Sequence, residues 1–540
     1  MVRFIFSLII SLLIVLQAYS YPGKILNSFS TQGNFPTGLT YDGKNLWIAD
    51  RKLDKLFQIN TETGVIINEI PSPAYWPMGL AFDGENLWCV DIKGGIPMAE
   101  NYKGILYKLN PKDGSILHKA ELSCVKPTGL TYDGEYLWVV DEALDKIMQI
   151  SPKDGTTIKE FRSPAGNPMG LCFDGEYLWV SDRGTDEIYM ISPKTGSVIV
   201  TIDAPGNYAF GLAFDGNYLW NVDWQTKKIY KLVKEDEERF VVSKPKSYKV
   251  TITHQTTNFG QGDIKSLDVY FAIGDKRENQ DLIGNTEFSE PPKDYVTDNW
   301  GQNTAHFEYR NIKSGESKEI VMTNKLTLYD IRYFIFPNKV GGFNEIPLDI
   351  KNKYLTNDEK YQITHPVIAD ALQKAIGNET NMYWIARNIY DYLIDNMYYE
   401  MQGGWNIAPT VLERGNGSCS EYTFVYIAMC RAAGIPARYV GSVVVRGDDT
   451  SMDDVFHRWA EIYLPNYGWV PVDPSGGDQD WPKAQADYFG HLNNRFFIST
   501  QSGGGSNLLE WTYNTNEFYT TDPKTFVVVE YFADWEPLEE

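Results

Sequence analysis

Three residues near the C-terminal end of this 540-residue chain have types and surroundings suited to nucleophilic chemistry: Cys419, His457 and Asp473. Cys419 follows Gly415, Gly417 and Ser418, a turn-forming run, and precedes apolar residues at 424, 427, 428 and 432 in helical spacing. Gly434 stops that helix and Pro436 keeps it from resuming. The thiol is therefore expected at a helix N-terminus, where unpaired N–H groups and the positive end of the dipole favour thiolate. His457 lies in VFHRWAEIYLPNYGWVPVDPS, where apolar and polar residues alternate in strand fashion. Pro465-Asn466-Tyr467-Gly468 reads as a hairpin turn, and the returning strand ends at Asp473. Adjacent antiparallel strands would bring Asp473 beside His457. A thiol, an imidazole base and a carboxylate that orients the imidazole are the parts needed for covalent acyl transfer.

The other cysteines and histidines offer less. Cys430, eleven residues on in the same helix, reads as packing, and Cys89 and Cys172 sit in strand-like runs as small buried hydrophobes. Five cysteines leave at least one unpaired in an oxidising compartment, and their spacings match neither a disulfide framework nor a metal site. His254 and His306 lie in strand-like segments, His365 opens a helix and His491 follows the motif region. No metal and no cofactor is called for. The sequon Asn416-Gly417-Ser418 abuts the nucleophile turn and reads as a chance match.

The segments GNGSC, RAAGIPARYVGS and FHRWAEIYLPNYGWVPVDPS resemble the three motif blocks of the transglutaminase-like superfamily, in the family's order. The resemblance covers about 380–480. It implies a papain-like α+β fold, with Cys419 as nucleophile, His457 as base and then acid, and Asp473 orienting His457. It also implies an oxyanion donor at the Cys419 backbone N–H. Trp405 falls where animal members carry an indole donor, with Gln402 as the alternative.

Other elements must carry these residues. Between 36 and 223 one phrase recurs five times, from PTGLTYDGKNLWIAD to AFGLAFDGNYLWNVD, with leading glycines 38, 79, 129, 170 and 211. Their spacings are 41, 50, 41 and 41, the longer one holding an insertion after Asp91. Such a period means a repeat architecture. Each unit reads as four short strands, the first two joined at Asp-Gly as a type I′ hairpin. That is the blade of a β-propeller, five-bladed, with GKILNSFS (23–30) completing the last blade and closing the ring. The repeats resemble those of NHL and streptogramin-lyase-like propellers. The recurring Trp and Asp read as fold residues. Departures from the repeat, the 92–103 insertion and Trp224-Gln225, are the better candidates for binding.

After the acidic linker 234–238 the chain alternates as antiparallel strands, a β-sandwich over 245–350. Helical spacing predicts helices at 370–377 and 381–396. The expected plan is multidomain and mainly β: signal peptide 1–20, propeller 21–238, sandwich 245–350, and catalytic domain 360–540 with C-terminal strands. The glycine-rich stretch 501–506 is either a border of the cleft or a surface hairpin.

Residues 1–20 have the form of a cleaved secretory signal: Arg3, an apolar run from Phe4 to Leu16, then Ala18-Tyr19-Ser20. No later run is long enough to span a membrane. A secreted, periplasmic or cell-surface protein is expected. The net charge of -22 disfavours nucleic acid. Expected partners are a protein or peptide substrate at the thiol and a protein or glycan at the propeller. The readings are peptide or amide hydrolysis, crosslinking by amine transfer, a non-catalytic binding protein, and, as a lesser alternative, a lyase site on the propeller. A thiol-directed peptide electrophile should label wild type and Cys430→Ala but not Cys419→Ala; labelling that persists in Cys419→Ala contradicts the enzyme readings.

Overall fold

A computed structural model describes residues 20–31, 33–93, 103–401, 404–447 and 450–538. Residues 1–19 of the expected signal, and most of the 92–103 insertion, lie outside the described residues. The repeats fold as five four-stranded antiparallel sheets. Numbered in chain order, the blades span 36–71, 80–121, 127–162, 168–203 and 209–233. Ile25–Ser30 pairs antiparallel with Lys228–Val233, Ser28 opposite Tyr230, so the N-terminal strand completes the last blade.

The leading glycines set how closely blades approach. A Cβ on Gly38 would stand 2.0 Å from the Met78 carbonyl oxygen, on Gly79 2.5 Å from Leu130 N, and on Gly129 2.8 Å from Leu171 N. On Gly170 it would stand 2.1 Å from the Phe210 oxygen, and on Gly211 2.5 Å from Leu39 N, back in the first blade. The ring closes through backbone contacts that only glycine permits. The recurring carboxylates hold turns. Asp42, Asp83, Asp133, Asp174 and Asp215 each accept the indole N–H of the Trp five residues on, at 2.7–2.9 Å. Asp50, Asp91, Asp141, Asp182 and Asp223 each accept a backbone N–H that precedes their own blade's first strand.

The Asp-Gly turns are not type I′ hairpins. In the first four blades four residues separate the strands. Only the glycine takes a positive φ, from +92° to +102°. The Asp side chain accepts the N–H groups two and three residues ahead, as Asp42 does at 3.0 and 2.7 Å. That local bond fixes the turn without a positive φ at Asp.

The sandwich packs one sheet containing Phe240–Asn258 and Ser317–Tyr333 against another containing Ile264–Ala272 and Asn303–Ile312. It also takes strands that the sequence grouped with the catalytic domain. Val527–Pro537 pairs with Phe240–Asn258, and Thr515–Thr521 with Ile264–Ala272. Their alternation fits any half-wet sheet, so pairing partners were not readable locally.

Between these strands lies the α+β unit. Helices Pro366–Ile376, Met382–Asn396, Ala408–Arg414 and Cys419–Ala432 cover a sheet of order Gly468–Val472, His457–Leu464, Ala437–Val444, Phe496–Ser502. The first helix begins four residues before the expected start because His365 caps it and Pro366 occupies its first turn. Blade 4 joins this unit. Its outer strand, Val198–Asp203, is buried at five of six positions. The outer strands of blades 2 and 3 instead alternate with exposed residues. Ile199, Val200 and Ile202 share one core with Tyr383, Tyr390 and Phe489. The change Gly170→Ala should destabilise the chain by about 2 kcal/mol in denaturant titration, because the Phe210 backbone must move aside.

Candidate active site

Ser418-Cys419-Ser420-Glu421 has the S-x-x-E form that starts helices. Ser418 is the N-cap and Cys419 the first helical residue. Glu421 is fully buried and every oxygen is used. Oε2 accepts the Ser418 N–H at 3.0 Å and Arg414 at 2.8 Å. Oε1 accepts the Asn406 N–H at 3.1 Å and its side-chain amide at 2.8 Å. One carboxylate thus joins the nucleophile turn, the preceding helix and the segment that bears Trp405. The Thr423 hydroxyl lies 2.8 Å from the Cys419 carbonyl and 3.2 Å from that of Arg458, bridging the helix start to the His457 strand.

The hairpin brings the other two residues together as expected. Ala460 lies opposite Val472, and His457 starts its strand opposite Ser442. His457 Nε2 is 2.6 Å from Asp473 Oδ2. The other carboxylate oxygen accepts the Ser475 N–H at 3.1 Å, the Ser475 hydroxyl at 2.7 Å and the Gly476 N–H at 3.0 Å. With Nε2 engaged, Nδ1 is the ring nitrogen left for the thiol. The His457 ring sits beside Trp459 and Phe496, with centroids 5.8 and 5.6 Å away.

All five cysteines are buried and free. Burial pushes the thiols of Cys89, Cys124, Cys172 and Cys430 upward. It acts on Cys419 too, but His457, the Tyr513 hydroxyl and the Arg458 backbone N–H outweigh it and bring that thiol down to about 7. His457 moves the opposite way. Burial lowers it, yet Asp473 and the thiol raise it to about 10. By contrast, burial takes His254 and His491 down to about 4. Burial pushes the Asp473 carboxyl up, but His457 and the Ser475 and Gly476 donors hold it below its ordinary value. The favoured state is a buried thiolate–imidazolium pair backed by a carboxylate.

Tyr513 was not singled out in the sequence. Its hydroxyl lies 2.7 Å from Ser420 Oγ and 3.8 Å from Cys419 Sγ. It sits ninety-four residues beyond the cysteine in WTYNT, with no motif to mark it. Trp405 packs edge-on to Tyr513, with ring centroids 5.8 Å apart, one ring removed from the thiol. Gln402 lies outside the described residues. Arg458, wholly buried, is enclosed by the rings of Tyr439, Tyr513, Trp405 and Phe424 at 4.4–5.3 Å.

The glycine-rich stretch 501–506 is not a free surface hairpin. Gly505 accepts the Trp300 indole N–H at 3.1 Å, and the Gly505 N–H donates to Asp358 at 3.1 Å. A cavity of about 440 Å3, lined by Arg239, Arg277, Arg438, Glu461 and Trp469 among others, lies where the sandwich meets the sheet; Cys419, His457 and Asp473 do not line it. Blade 2 carries one histidine, His118, edge-on to Trp88 at 6.4 Å on the outer strand. Among the described residues no group of three or more His, Cys, Asp or Glu is placed to hold a metal ion. Among them, too, no helix is long and apolar enough to cross a membrane.

Residues 370–474 match the model of the transglutaminase-like superfamily, so this part of the chain is a transglutaminase-like domain. An uncharacterized protein of Haemophilus influenzae is 29% identical over 134 residues, covering 20% of this chain and 36% of that protein. The chain thus spans about a third of that relative's length. A proposed cysteine protease of Cytophaga hutchinsonii is 15% identical, with a TM-score of 0.40 over 56% of this chain and 93% of that one. Virginiamycin B lyase from Staphylococcus aureus is 22% identical, with a TM-score of 0.25 over 37% of this chain and 66% of that one.

Ultraviolet titration of thiolate should show one group ionising near pH 7 that Cys419→Ser abolishes. In His457→Ala the same thiol should stay protonated past pH 9.0, because burial then outweighs the Tyr513 and Arg458 donors that remain.

Proposed function

We propose that this chain, with its transglutaminase-like domain at 370–474, is an exported acyl-transfer enzyme that hydrolyses peptide or amide bonds through a thioester on Cys419. The observation that carries this reading is the arrangement of Cys419 at the start of its helix with His457 and Asp473, the last two 2.6 Å apart, which draws the thiol down and the imidazole up. No other cysteine in the chain shares it.

The Cys419 thiolate attacks the substrate carbonyl carbon, and the C=O electron pair moves onto oxygen. The Cys419 backbone N–H, at the first position of its helix, and the Trp405 indole are the donors proposed for that oxyanion. As the C–N bond breaks, His457 gives its proton to the leaving amine. Neutral His457 then takes a proton from water, whose oxygen attacks the thioester, and the acid departs while sulfur returns to thiolate. Asp473 holds the imidazole in one orientation through both steps.

An amine in place of water would give crosslinking by the same first half. Hydrolysis is preferred because the thiol is nearly enclosed, 5% exposed, with the Tyr513 hydroxyl 3.8 Å from the sulfur and Trp405 packed on the Tyr513 ring, which suits a small acceptor. The propeller is assigned the binding of a substrate or of a protein or glycan partner. Export is supported by the apolar run from Phe4 to Leu16 behind Arg3.

Turnover of a peptide mixture in H2 18O, with and without excess primary amine, separates the readings. Label should enter new C-termini even with amine present. Cys419→Ala and His457→Ala should each lower kcat/KM by about 10^3-fold or more. Exclusive amine incorporation would favour crosslinking, and unchanged turnover in Cys419→Ala would end the proposal.

A further inference from the structure

Between Asp473 and Tyr488 the chain makes a loop whose ends meet: the Asp473 N–H donates to the Tyr488 carbonyl at 2.8 Å. What fixes the middle of this loop therefore bears on the carboxylate at its root. Part of the hold is internal to the α+β unit. The Tyr422 hydroxyl donates to Asp478 at 3.2 Å and the Tyr390 hydroxyl to the Gln485 carbonyl at 2.6 Å.

The rest comes from the propeller. The Lys483 N–H donates to the Pro164 carbonyl at 3.1 Å, between blades 3 and 4. Arg162, at the end of blade 3, donates to the Asp480 carbonyl at 3.2 Å, and its guanidinium lies 3.4 Å from the centre of the Trp481 ring. Lys483 also pairs with Glu187 of blade 4 at 3.6 Å. Glu187 is buried, and it takes Arg332 of the sandwich at 3.0 Å and the Tyr189 hydroxyl at 2.8 Å. One propeller carboxylate touches all three structural units.

The sequence marks this place by breaking its own repeat. The position paired with the Asp that ends the second strand is Lys55, Lys146 and Lys228 in blades 1, 3 and 5, and Ile105 in blade 2. In blade 4 it is Glu187. In blades 1 and 3 that lysine pairs with a glutamate of its own outer strand, at 2.7 and 2.5 Å. In blade 4 the sign is reversed, and the cations arrive from the sandwich and from the Asp473 loop. A side chain kept only for the blade's own pairing would have followed the repeat.

We infer that Glu187 and Arg162 are positioning residues for Asp473: blades 3 and 4 hold the 474–487 loop and so set the carboxylate that orients His457. The consequence for turnover rests on the acyl-transfer reading, but the hold itself is legible on the thiol. The groups that act on that thiol are His457, Tyr513 and the Arg458 backbone N–H, with Tyr399 also within electrostatic reach. Glu187 is faced by Arg332, Lys483 and Tyr189, so a change there is felt at the thiol by way of the loop.

The test is the pH profile of Cys419 alkylation by iodoacetamide in the full chain, followed by mass spectrometry of the peptide. Asp473→Asn gives the full effect, an upward move of the half-point by about 1–2 units. Glu187→Gln and Arg162→Ala should each move it the same way by about half a unit, about a threefold fall in the thiolate-to-thiol ratio. Lys55→Gln, at the same strand position in blade 1, should leave it unchanged. Continued protection of Cys430 reports that each variant is folded, and Arg162→Ala decides the matter should Glu187→Gln not fold. Wild-type profiles in both variants, with Asp473→Asn displaced, overturn the inference and leave the catalytic reading standing. An unmoved Asp473→Asn profile overturns the catalytic reading, and the inference with it.

Discussion

A buried thiol is a poor nucleophile unless a positive charge is buried beside it. Four cysteines of this chain show the first half of that rule and Cys419 the second. The group placed to carry that charge is His457, whose imidazole is raised by the Asp473 carboxylate 2.6 Å away. That carboxylate in turn is held by three donors from Ser475 and Gly476. Each group is stable in its ionised form only while the next is in place.

The surrounding architecture serves that dependence. Glu421 fixes the turn before the cysteine and the segment of Trp405 together, so the two share one buried anchor. Thr423 bridges the helix to the histidine strand. The carboxylate's loop is bounded by the α+β unit on one side and by the propeller on the other. The propeller is therefore not a bead on a string. Its fourth blade lends an apolar outer strand to the same core that surrounds the cysteine helix.

The residues of the site were legible because each has a local signature. A helix-start motif precedes Cys419, strand alternation surrounds His457, and a Pro-Asn-Tyr-Gly turn returns the chain toward Asp473. The repeat was legible because it is written five times, and the ring closure because strands were missing at both ends. Two local features were misread. The Asp-Gly turns looked like two-residue hairpins, but Asp side-chain acceptance of N–H groups builds a longer turn. VIVTI of blade 4 falls under the same four-strand reading as the other blades, although its apolar run, broken only by Thr201, differs from the IKEF and LHKA of its neighbours.

The sequence by itself determined the chemistry on offer, the repeat, and the hairpin that joins His457 to Asp473, because all of these are written within a few tens of residues. Only the tertiary structure decided what surrounds them. Tyr513 reaches the thiol from ninety-four residues away, the last two strands complete a sandwich begun near residue 240, and Glu187 meets Lys483 across nearly three hundred residues. Such contacts depend on which apolar and charged surfaces find each other once the units pack. Spacing along a chain carries no record of that.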